Sequence, residues 1–69
     1  MTPEQIKGAR LRLDLTVSEM AAMLETDAQT VRRMEMNPEA STFRKPAARM
    51  VRLIRAYLNG FRPKDWPHA

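Results

Sequence analysis

The stretch from Thr16 to Asn37 most constrains what this chain can fold into, because it carries two helix starts in close succession. Thr16 is a good N-cap, since its hydroxyl can accept a free amide of the first turn. Glu19, three residues on, completes a capping box. Met20, Ala21, Met23 and Leu24 then recur at helical spacing. Glu25 and Thr26 interrupt the pattern, Asp27 caps a second helix, and Val31 and Met34 supply its buried side. The pattern predicts two short helices joined by a tight turn, with Ala21 small where they cross. The other side of the second helix shows Gln29, Arg33 and Met36, flanked by Thr30 and Arg32. Arginine can bond guanine bidentately and glutamine can do the same with adenine. Gln29, Arg32 and Arg33 are therefore the candidate base-reading residues.

Leu15, Thr16, Met20, Ala21, Leu24, Thr30, Val31, Met34 and Glu35, with Arg10 upstream, make this stretch resemble the helix-turn-helix of the Cro/phage-repressor family. The resemblance covers roughly residues 4 to 58. It implies an all-α, lambda-repressor-like DNA-binding domain of four to five short helices over residues 1–60, with the helix-turn-helix at 16–37. It also implies an ion pair between Arg10 and Glu35; otherwise Glu35 is an exposed side chain at a helix end. Two departures stand out. The family usually has glycine where this chain has Glu25, and a left-handed backbone there costs about 1 kcal/mol. The family's second helix usually opens with a phosphate-touching glutamine, and Val17 stands in that place.

Size and charge narrow the partners. Sixty-nine residues make one small domain, and such a chain buries only about 60% of its unfolded surface. There is no cysteine, hence no disulfide and no thiolate metal site, and the lone His68 cannot build one. No metal, cofactor or enzyme site is legible, since no nucleophile, base or carboxylate pair gathers in a pocket-forming pattern. No apolar run approaches the roughly 20 residues of a membrane span, and no signal-peptide pattern opens the chain. A cytoplasmic location, bacterial or in a phage-infected host, is expected. The net charge of +4 is uneven. Residues 1–35 hold five Lys/Arg against six acids, and residues 36–69 hold seven against two. A polyanion is the natural partner of such a cationic half.

Taken in order, Thr2 caps a first helix with Pro3 at its first position and Glu4 in its first turn. Ile6, Ala9 and Leu13 face inward. Asn37-Pro38 ends the recognition helix. A loop follows, with Phe43 as its expected anchor on the core. Arg44 and Lys45, together with Thr16 and Thr30, are the candidate phosphate contacts. A last helix is expected from Pro46 to Asn59, with Gly60 as terminator. Met50, Val51, Leu53, Ile54, Tyr57 and Leu58 form its apolar side, and Arg49, Arg52 and Arg55 its other side. That arginine row is either a solvated face or a phosphate or partner contact.

The tail, residues 61–69, contains Phe61 and Trp66, an aromatic pair too costly to leave in water. They fold back on their own core or form a dimer contact, for which Tyr57, Leu58, Phe61 and Trp66 are the candidates.

These readings lead to a sequence-specific regulator of double-stranded DNA, an autorepressor acting as a homodimer on a pseudo-palindromic operator. The resemblance implies kinship with small phage or mobile-element repressors, among them anti-CRISPR-associated regulators. The competing reading is an antitoxin-like interaction module that also holds a protein partner from its own operon. RNA binding would draw on the basic last helix, but the chain shows neither a sheet nor a convincing set of exposed aromatics for stacking bases.

Overall fold

Thr2 opens the first helix as its sequence predicts. In this computed structural model, which describes residues 1–67, the Gln5 N–H donates to Thr2 Oγ1 at 3.1 Å. The Thr2 N–H donates to Gln5 Oε1 at 2.8 Å, a reciprocal capping box that the Thr-x-x-Gln spacing also announces. His68, read above as too isolated for a metal site, lies outside the described residues. Among those residues there are four helices and no strand: α1 (Pro3–Arg12), α2 (Val17–Met23), α3 (Ala28–Met34) and α4 (Ala48–Leu58). The all-α expectation holds, with the lower of the two helix counts.

Three of the helices end in the same way. Asp14, Glu25 and Gly60 take left-handed backbone with φ of 57°, 57° and 103°. The next residue's N–H then reaches back to close the helix end: Leu15 to Arg10, Thr26 to Ala21 and Phe61 to Ala56. This satisfies carbonyls that the helix leaves unpaired. Glycine fills this position only at residue 60, so Asp14 and Glu25 each cost about 1 kcal/mol of backbone strain.

The core is built from α1 (Ile6, Ala9), the turn residues Leu13 and Leu15, α2 with its cap (Met20, Ala21, Met23, Leu24), and α3 (Val31, Met34). From α4, Met50, Ile54 and Tyr57 join it. Ala21 is 3% exposed, as a close α2–α3 crossing requires. Each large side chain buried here contributes roughly 1.5–3 kcal/mol.

The tail folds onto this core. Trp66 is 7% exposed and meets Tyr57 edge to face at 5.1 Å between ring centroids. The Arg62 guanidinium lies 4.4 Å from the Trp66 ring centroid and donates to the Tyr57 carbonyl at 2.7 Å. The Tyr57 hydroxyl donates to the Met23 carbonyl at 3.0 Å, tying α4 to the end of α2. Burial, then the nearby Asp65 and Glu25 carboxylates, push the Tyr57 hydroxyl pKa up.

Two boundaries and one loop residue depart from expectation. α3 stops at Met34, capped by Glu35, so Met36 lies beyond it rather than on its outer face. The Arg44 N–H takes the Arg33 carbonyl at 3.2 Å, so that carbonyl is shared away from a further helical turn. The last helix begins at Ala48 rather than Pro46. Residues 43–47 run without helix, because extended chain rises about 3.3 Å per residue against 1.5 Å in a helix and carries the segment from α3 to α4. Phe43 is only half-buried and stands outside the core cluster. The Arg44–Arg33 backbone bond holds the loop instead.

Candidate nucleic-acid interface

The candidate interface centres on α3, and α3 is set by its two ends. At its start the Thr30 N–H donates to Asp27 Oδ1 at 2.6 Å. Backbone and side-chain hydrogen bonds from Thr30 hold the Asp27 carboxyl below its ordinary pKa against desolvation, with a lesser contribution from the Arg33 charge. The cap reading of Asp27 is therefore the one seen. At its end Glu35 receives Arg10 from α1 in a two-pronged pair, Nε to Oε2 at 2.9 Å and Nη2 to Oε1 at 3.1 Å. Arg10 Nη1 also donates to the Leu15 carbonyl at 3.2 Å. All three guanidinium nitrogens are used, and the two side chains are 12% and 9% exposed. Such a fork fixes direction as well as distance, so α3 is clamped to α1 and to the turn before α2.

Between these ends, Gln29 and Arg32 stand exposed on α3. Arg33 is half-buried, and its Nε is buried with no hydrogen-bond partner. Of the three base-reading candidates, Gln29 and Arg32 are thus fully offered, while Arg33 leans onto the protein near Asp27. Met36, beyond the helix, accepts the Thr42 hydroxyl on its sulfur at 3.1 Å.

The phosphate candidates fall in two places. Arg44 and Lys45 are exposed beside α3, to which Arg44 is tied through the Arg33 carbonyl. Part of the Arg44 guanidinium turns back to the Phe43 carbonyl at 3.0 Å. Thr16 is exposed at the start of α2, its oxygen already accepting the Glu19 N–H at 3.1 Å, which leaves the hydroxyl proton to donate. Thr30 is half-buried and engaged with Asp27. The dimer candidates separate: Tyr57 and Trp66 are inside the monomer, Leu58 packs partly on its core, and Phe61 alone is exposed, at 55%, stacked on Tyr57 at 6.1 Å.

The surface offers amide, guanidinium and ammonium donors and no gathered acid–base pair. Among the described residues, no group of three or more His, Cys, Asp or Glu could hold a metal ion, and no helix is long and apolar enough to cross a membrane. No known protein family, curated protein or solved structure matches the chain.

Proposed function

We propose that this protein is a sequence-specific DNA-binding regulator that acts as a homodimer on a pseudo-palindromic operator, its own promoter being the simplest target. The observation that carries the reading is the Arg10–Glu35 fork. It holds α3 at a fixed angle to the rest of the domain while leaving Gln29 and Arg32 free on the outer face. A short rigid helix with such a face suits the major groove, and Arg44 and Lys45 beside it suit the flanking phosphates. Bound this way, the protein would exclude polymerase by mass action. With Tyr57 and Trp66 enclosed, the self-contact falls to Phe61 and the rim of Leu58, spacing two recognition helices about 34 Å apart.

Selection from a random duplex pool tests this. The expected product is a pseudo-palindromic site bound about a thousandfold or more tighter than scrambled duplex at physiological salt. Equal affinity for selected and scrambled duplex would overturn the reading.

A further inference from the structure

A second surface lies away from α3. Between α1 and α4 runs a groove of about 400 Å³, lined by Gln5, Gly8, Ala9, Arg12, Arg55 and Leu58. It continues past Met1 and Arg55 into a space of about 530 Å³ bordered by Pro46, Ala48, Val51 and Arg52. We propose that this groove docks an acidic amphipathic helix of a partner protein.

The floor is apolar and the rim is cationic. Val51 and Leu58, both half-buried, offer carbon surface beside the buried Ala9, while Arg12, Arg52 and Arg55 stand exposed along it, and no Asp or Glu lines either part. α4 spans eleven residues, roughly 16 Å at 1.5 Å per residue, which is the length of three turns of a docked helix. Helix-in-groove recognition needs that combination of length and apolar anchors. Gly8 is the second feature. It sits inside α1, where glycine costs about 1 kcal/mol relative to alanine, and a Cβ added there would meet nothing within 4 Å. The packing of this chain therefore does not require glycine at 8, yet its missing side chain keeps the groove open.

The charge decides the occupant. A second copy seated by two-fold symmetry would place the same three arginines against each other. Nucleic acid is held mainly through phosphates and stacked aromatics, and this floor has carbon surface but no aromatic ring. An acidic helix with leucines on one face satisfies both floor and rim. The groove shares no residue with α3, so the inference does not rest on base reading, although Leu58 borders both the groove and the proposed self-contact. Lys45, offered above to phosphate, borders only its far end.

The test is an amide chemical-shift titration of the full chain with a helical probe peptide, leucines on one face and glutamates on the other. The expected shifts fall on Gly8, Arg12, Val51 and Arg55. Gly8→Leu, whose Cβ would meet no atom within 4 Å, and Arg55→Glu should each weaken the peptide about tenfold or more. Gly8→Leu should leave operator binding unchanged. The proposal is overturned if no shifts appear, if a lysine-for-glutamate peptide binds equally, or if an oligouridylate of the same charge moves the same amides as strongly.

Discussion

Arg10 and Glu35, one on α1 and one at the end of α3, grip each other through two hydrogen bonds of 2.9 and 3.1 Å in a nearly buried setting. Removing one partner strands the other charge, and breaking a buried pair in this way costs about 3–5 kcal/mol. Arg10→Ala or Glu35→Ala should therefore unfold or nearly unfold a domain of this size in a urea titration. The double replacement Arg10→Met/Glu35→Leu should recover much of the loss, because no lone charge remains. If the double variant is as unstable as the single ones, the pair is not what holds α3.

Glu25 spends its left-handed φ of 57° where glycine would be unstrained. Glu25→Gly should raise stability by roughly 0.5 kcal/mol, the strain relieved less the added entropy of the unfolded chain. Glu25→Val should lower it, since a β-branched side chain tolerates that backbone worst. Thermal melts of the two variants against the parent decide the matter; a melting temperature lowered by glycine would contradict it.

Asp27 supplies a pH dependence. Its folded pKa lies below the ordinary value of 3.8, chiefly through the Thr30 hydrogen bonds. A depressed carboxylate pKa means the unfolded chain binds the proton first as pH falls. The cap's charged contribution is thus complete above about pH 5, roughly a unit over the ordinary value, and is lost as pH drops through the folded value. Asp27→Asn retains a capping oxygen and removes the titration. The parent-minus-variant stability difference should shrink between pH 5 and pH 2, roughly the window set by the aspartate pKa; a flat difference would exclude Asp27 as the source.

Trp66 belongs to the monomer core, so its loss should be felt in folding rather than in assembly. Trp66→Ala should cost about 3–5 kcal/mol. A chain ending at Asn59 should unfold, since Tyr57 would lose its edge-to-face partner and its Arg62 cover. A folded, monomeric truncation by circular dichroism and light scattering would assign the tail to dimerisation instead.

Much of this architecture was legible because it is written locally. Thr16 with Glu19 and Asp27 before Ala28 are caps that act within one turn, and the structure has both. The turn at Glu25 follows from the break in apolar spacing, while its left-handed strain is what the resemblance implies. The Arg10–Glu35 pair came from resemblance, since nothing local joins residues so far apart. Asp14's left-handed turn has no such sign in the sequence: Asp14 is followed by apolar Leu15 and Glu25 by polar Thr26, so the two turns share no local signal. Tertiary facts were out of reach. Phe43 was expected on the core by its hydrophobicity, but the loop is tied by a backbone bond that no side chain announces. Trp66 had two uses until Tyr57 and Arg62 were placed around it. Arg33 has the right helical position for base reading, but only the fold reveals that its Nε is buried.

Base reading by α3 is tested most directly at Gln29, which stands exposed on that helix. Duplex selection should be run in parallel on the parent and on Gln29→Ala. The account predicts that the variant keeps the half-site spacing, loses preference at one base pair in each half-site, and binds the parent operator about 1–3 kcal/mol more weakly. An unchanged selected motif with unchanged affinity would contradict it.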